Sequence, residues 1–254
     1  MYADLEDIFR NPRVHKDVGY HRLGDGTKLD SDRIENLSCY RYNFDDEEIL
    51  DQFVSDNYPI DERFDSISVG FDCFFILKND GDFMFSFGIP KGLHDKLWGR
   101  QSWLPKPEIV KLGKKSCQSY FIQFADGSQE WCDIPDELDD ILDNSDQTVD
   151  VLALGEDEDY YVKLVDGSED WTLPVKLSKL LNGRNGNRKG NPGKAGVANI
   201  SLGHNGDYAV KFTDGSIRSW CNKPGYSKKF DKVEKKAGIK HVELGAGNDF
   251  VIIG

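Results

Sequence analysis

Val197-Ala-Asn-Ile-Ser-Leu-Gly203, followed by Tyr208-Ala-Val-Lys-Phe212, Asp214-Gly215 and Trp220, decides the fold because the same succession recurs along the chain. Its first element, an apolar run ending in glycine, returns as Ile67-Ser-Val-Gly70, Ile109-Val-Lys-Leu-Gly113, Val151-Leu-Ala-Leu-Gly155 and Val242-Glu-Leu-Gly245. The glycines are 43, 42, 48 and 42 residues apart, a period that marks arrays and propellers. Tyr120-x-Ile122-x-Phe124, Tyr160-x-Val162-x-Leu164 and Tyr208-x-Val210-x-Phe212 each set three large apolar groups on one strand face, and Phe75 with Leu77 does so in the first unit. Asp-Gly then recurs at Gly81, Gly127, Gly167 and Gly215, where a hairpin needs positive φ. An aromatic follows on the returning strand: Phe85, Trp131, Trp171 or Trp220. Ile89-Pro90, Ile134-Pro135 and Leu173-Pro174 open short helices, with proline expected at the first helical position and leucines three or four residues apart behind it.

A unit of strand, strand, hairpin, strand and short helix cannot bury both its faces alone. Radial stacking of such units supplies the missing cover, so the expectation is an all-β fold: a small closed β-propeller of about five blades of ~43 residues, with short helices between blades. The units lie near 64–107, 108–148, 149–196 and 197–237, and the fifth spans 238–254 together with 37–63. That last assignment makes the N-terminal segment complete the last blade. Leu37-Ser-Cys39-Tyr-Arg-Tyr-Asn-Phe44 reads as a strand, and Asp45–Phe53 resembles the helical stretch from Asp136. Residues 1–36 are then an N-terminal extension to a single domain, 37–254.

The succession Leu202-Gly203, Tyr208-x-Val210, Asp214-Gly215 and Trp220, with its equivalents over residues 64–254, resembles the blade of the regulator-of-chromosome-condensation type of repeat. The resemblance implies the fold only. Cys132, Thr172 and Cys221 stand where that family has glycine after the blade tryptophan, so its nucleotide-exchange activity is not implied. Unit length and number are also similar to five-bladed tachylectin-type sugar-binding propellers.

Phe and Tyr supply 25 of the 30 aromatic residues, which suits half-buried strands. No run of 18 apolar residues and no signal-type N-terminus is present, so a cytoplasmic protein is expected, with the nucleus left open. Five cysteines, Cys39, Cys73, Cys117, Cys132 and Cys221, without a C-x-x-C pair, read as reduced and structural. No metal and no cofactor is expected. His15, His21, His94, His204 and His241 occupy non-equivalent places, and glycine-rich phosphate, dinucleotide and Gly-x-Ser-x-Gly motifs are missing. Catalysis is therefore not expected, although residues distant in sequence can still build an unrecognised enzyme site. The recurring tryptophans are expected in the core.

The net charge of −13 disfavours nucleic acid and anionic membrane as partners. Its distribution is uneven: 126–170 carries seventeen acids and one base, whereas 175–240 carries fifteen bases and four acids. Within the acidic stretch the candidate binding residues are Asp136, Glu137, Asp139 and Asp140, then Glu156, Asp157, Glu158 and Asp159. On the basic side they are Arg184, Arg188, Lys189 and Lys194, in a glycine-rich insert that accounts for the long interval. Complementary fields of this kind steer protein partners, so the leading expectation is a non-enzymatic recognition module that binds a protein, a second copy of itself included. A lectin-like alternative uses an aromatic and an aspartate per blade to hold a glycan.

Overall fold

The computed structural model describes residues 20–23, 64–71, 73–78, 81, 83–86, 88–98, 104–183, 195–237, 239–246 and 250–253. The described residues are mostly β, arranged as five small antiparallel sheets with four α-helices between them. The first sheet has the order β1-β4-β3-β2, from β1 (Tyr20–Leu23), β2 (Phe64–Val69), β3 (Phe74–Lys78) and β4 (Phe83–Ser86). Tyr20–Leu23, inside the stretch set apart by sequence as an extension, is thus its outer strand. The second sheet is β5 (Pro107–Leu112), β6 (Tyr120–Phe124) and β7 (Gln129–Cys132). The third is β8 (Val149–Leu154), β9 (Tyr160–Leu164) and β10 (Glu169–Thr172). The fourth is β11 (Val197–Leu202), β12 (Tyr208–Phe212) and β13 (Ile217–Trp220), and the fifth pairs β14 (His241–Leu244) with β15 (Phe250–Ile253). Residues 37–63, expected to complete the last sheet, lie outside the described residues.

Each repeat motif has a mechanical reason. Gly155 closes a loop by donating its N–H to the Asp159 carbonyl at 2.8 Å, as Gly203 does to Asp207 at 2.8 Å. A Cβ on Gly155 would lie 2.7 Å from Asp159 Cβ and 3.3 Å from Leu202 Cβ in the next sheet, so the bare backbone lets neighbouring sheets approach. The Asp-Gly dipeptides make three-residue hairpin loops: Gly167 N–H donates to the Leu164 carbonyl at 2.9 Å, with Gly167 at φ +88°. In this loop Asp166 accepts from the Ser168 amide at 2.8 Å and the Ser168 hydroxyl at 2.6 Å. Asp126–Ser128 and Asp214–Ser216 repeat the arrangement. Four inner strands also share a register shift near their start, between Phe64 and Ser66, Pro107 and Ile109, Val149 and Val151, and Val197 and Asn199.

The cores lie between sheets. Tyr120, Ile122 and Phe124 on one face of β6 join Phe75, Leu77 and Phe85 of the first sheet, whereas Phe121 on its other face packs with the third sheet. Middle strands are consequently buried on both faces, and β6 is buried throughout. Each core is filled further by a helix. Leu93 and Leu97 of α1 (Lys91–Leu97), Leu138 and Leu142 of α2 (Asp136–Asp143), and Leu177 and Leu181 of α3 (Val175–Asn182) are buried. Full burial of such a leucine is worth roughly 1.5–3 kcal/mol. Pro90, Pro135 and Pro174 precede these helices as extended N-caps, one residue earlier than expected. The fourth helix, α4 (Tyr226–Ala237), follows Gly225 at φ +77° and buries Tyr226 against Ala209, Val242 and Leu244. It lacks the apolar-proline opening, so the repeat pattern did not announce it.

The inner strands are neighbours in a fixed succession: β2 beside β5, β5 beside β8, β8 beside β11, β11 beside β14, and β14 beside β2. Ser68 accepts from the Leu112 amide at 2.8 Å, and Ser201 accepts from the Leu244 amide at 2.8 Å, so a side chain of one inner strand caps the next. Between the fifth sheet and the first, His241 Nε2 lies 3.2 Å from the Ile67 carbonyl oxygen.

Candidate interaction surface

Helix α2 is acidic on its outer face because Leu138 and Leu142 take the inner one. Asp136, Glu137, Asp140 and Asp143 are exposed, and the helix has acids in its first turn and no base in its last. Acids near the helix N-terminus are favoured by the backbone dipoles, whereas Asp143 near the C-terminus is not. Asp139 differs from its neighbours. It is half-buried and accepts from Trp131 Nε1 at 2.5 Å, so it holds the tryptophan edge. Glu137 reaches the third sheet, where its carboxylate accepts from Thr172 Oγ1 at 3.0 Å.

The second acidic run lies on the loop between β8 and β9. Glu158 pairs with Lys115 of the second sheet at 2.7 Å, although both side chains are substantially exposed. Glu158, Asp133 and Asp136 all raise the Lys115 pKa, with the Glu158 hydrogen bond the largest cause. The two runs therefore meet at the seam between the second and third sheets, with Lys115 among them. Glu156 turns the other way: it pairs with His204 of the fourth sheet and accepts from the Asn205 amide at 3.2 Å. Asp157 is exposed at φ +49°, and the half-buried Asp159 has its pKa raised to about 6 by burial first, then by Asp157 and Glu156.

Two acids at this seam were missed by sequence. Asp133, at φ +49°, pairs with Ser116 beside the base of α2. Asp170 accepts from Tyr160 OH at 2.7 Å, and this bond, with burial the larger cause, pushes the phenol well above its usual range. Glu137 contributes to the same shift, which locates it near this pair. Asp133 stands two residues after Trp131 and Asp170 one before Trp171, so the blade tryptophan was the available signal.

The basic insert residues Arg184, Arg188, Lys189 and Lys194 lie outside the described residues. The described basic side chains exposed in the basic stretch are Lys176 and Lys179 of α3, Arg218 of β13, Lys228, Lys232 and Lys235 of α4, and Lys240 before β14. They are interspersed with Asp231 and Glu234, so this flank is less uniform than the acidic one.

The tryptophans divide into two kinds. Trp131 stacks on Phe121 at 6.3 Å and Trp171 on Tyr161 at 6.1 Å, both partly buried against a core. Trp220 is 44% exposed, with Lys176 Nζ 3.2 Å from its ring centroid, which departs from the core position expected. Cys73 is buried, but Cys117 and Cys132 are exposed thiols, so the structural role expected of them does not extend to a place in the core. Burial raises the Cys221 thiol to about 12, which keeps it protonated and poorly nucleophilic at neutral pH.

No protein-family model and no curated protein matches the chain. Among solved structures, that of human WBSCR16 overlaps 76% of this chain at 10% sequence identity with a TM-score of 0.30, and the chain spans 61% of that chain's length. No helix among the described residues is long and apolar enough to cross a membrane.

Proposed function

We propose that the five sheets close into a small propeller, completed in its last blade by residues 37–63, and that this ring serves as a non-catalytic platform for recognising a protein partner. The succession of inner strands from β2 through β14 and back to β2 supports closure, as does the His241 contact with the first sheet. The observation that carries the recognition reading is the convergence of Asp133, Asp136 and Glu158 at one seam, where Lys115 is the base among them. A one-sided acidic field of this kind raises the encounter rate with a cationic surface and lowers it for anionic ones. Nucleic acid is thereby disfavoured, and a basic protein surface is favoured. The exposed lysines of α3 and α4 supply such a surface on a second copy of this chain.

Reversal of Asp136, Glu137 and Asp140 to lysine, with Asp139 left to hold Trp131, tests the reading. Proteins captured from an extract of the source cells by the full chain at low salt should be lost from the variant, which should still unfold in one cooperative transition. The same variant should weaken any self-association seen by sedimentation. Equal capture by both proteins, with the same salt dependence, would refute the acidic seam as the recognition surface.

A further inference from the structure

Two neighbouring seams carry opposite charge at the same place in the repeat. The second residue after the helix-opening proline is Gly92 in α1, Glu137 in α2 and Lys176 in α3. The outer-strand residue opposite the leading tyrosine of each middle strand is Cys132, Thr172 and Trp220 in the second, third and fourth sheets. Glu137 meets Thr172 where the second sheet adjoins the third, and Lys176 meets Trp220 where the third adjoins the fourth. An acid is thus presented on one side of the third sheet and a cation on the other.

The tryptophan seam has the composition of a contact surface. Trp220 and Val175 are both exposed, and Val175 directly precedes the lysine whose ammonium stands over the indole. The two apolar groups therefore lie within the reach of one side chain. A Cβ on Gly206 would stand 3.3 Å from Pro174 Cβ, so the glycine loop of the fourth sheet seats against the start of α3 and fixes this seam. Tryptophan is enriched where interfaces bind most tightly, and a cation over its ring is held more strongly once water is excluded. Lys179, three residues beyond Lys176, is exposed on the same side of α3. On α2 the exposed Asp136 and Asp140 stand one turn apart in the same way.

We propose that the two seams pair the chain with a second copy of itself by two-fold symmetry. Asp136 and Asp140 of one copy meet Lys176 and Lys179 of the other, and Trp220 is buried beneath them. The pairing rests on the acidic seam as a recognition surface and names its partner. Because the seams flank one sheet, a two-fold axis lying in the interface over that sheet lays each on its complement. The contact is then made twice and closes at two copies.

Sedimentation equilibrium of the full chain in roughly 0.1 M salt tests the pairing. Fields beyond about 10 Å are screened there, so the long-range repulsion between copies of net charge −13 is reduced. Wild type at up to about 100 μM, enough to populate a contact of micromolar affinity, should approach twice the monomer mass. Trp220→Ala should remain folded and weaken the dimer at least about tenfold. Asp136→Lys with Asp140→Lys, and Lys176→Glu with Lys179→Glu, should each be monomeric alone. An equimolar mixture of these two variants should recover the dimer, since both contacts are again complementary. A monomeric wild type, a dimer that Trp220→Ala leaves intact, or folded charge variants that fail to pair when mixed overturns the proposal. If wild type is monomeric while the acid-to-lysine variant still loses proteins captured from extract, the second copy fails as partner and the acidic seam stands. If that variant both dimerises and captures like wild type, the seam itself fails.

Discussion

The third and fourth sheets share almost every backbone feature and differ in where the tryptophan stands on the returning strand. Both have the glycine loop, the register-shifted inner strand and the Asp-Gly-Ser hairpin. Trp171 stands five residues after Asp166 and pairs with Tyr161, whereas Trp220 stands six after Asp214 and pairs with Tyr208. One position along a strand turns a side chain to the opposite face. Ser219 therefore occupies the position of Trp171, opposite Ala209 in place of Tyr161, and Trp220 faces outward. Inner and middle strands carry the architecture, and the outer strand is free to vary.

The sharpest break of this comparison is at the middle strand. Tyr161→Ala empties a fully buried site between the third and fourth sheets and should cost about 4 kcal/mol in denaturant unfolding. A loss below 1 kcal/mol would mean that the two sheets do not pack as described. Next in size is the tryptophan pair. Trp171→Ala should cost about 2–3 kcal/mol, while Trp220→Ala should cost less than about 1, since its ring is largely in water with one lysine over it. Equal losses would erase the distinction between the two returns.

A smaller contrast separates Asp159 from its equivalent Asp207. Asp159 is crowded by Asp157 and Glu156, and its folded pKa of about 6 lies above the unfolded 3.8. The folded state then binds the proton more tightly. Its ionisation penalty is fully present above pH 6, falls as pH drops through that value, and is gone below pH 3.8. Because the group is half-exposed, solvent screening reduces the effect to about 1 kcal/mol. Asp159→Asn should raise stability at pH 7 by that amount and bring no gain at pH 4. His241 has the opposite sign over much of the same range. Its folded pKa of about 4 lies below 6.5, so its contribution is complete above pH 6.5 and is lost as pH falls toward 4. Stability curves of wild type and Asp159→Asn between pH 4 and 8 separate the two.

Legibility in the sequence follows the same division. The Leu-Gly runs and Tyr-x-Val strands recur because each inner and middle strand meets the same neighbours, and their sheets form where periodicity placed them. Trp220 escaped because alignment by residue type ignores register, and α4 because Lys223-Pro224-Gly225 replaces the apolar-proline opening. The acidic helix was legible as a run of charge. Its meeting with Asp133 and Glu158 was not, since that depends on how two sheets are stacked. Lys114 and Glu243 read as ordinary residues of their repeats, and only the convergence of the second and fifth units makes them a buried ion pair.

The central claim is that the first and fifth sheets are neighbours. Nuclear Overhauser contacts of the His241 imidazole in the full chain test it most directly. The account predicts cross-peaks from that ring to the backbone of Ile67 and Ser68, across 174 residues of sequence. An imidazole that contacts only its own sheet and titrates near pH 6.5 like a solvated histidine would contradict it.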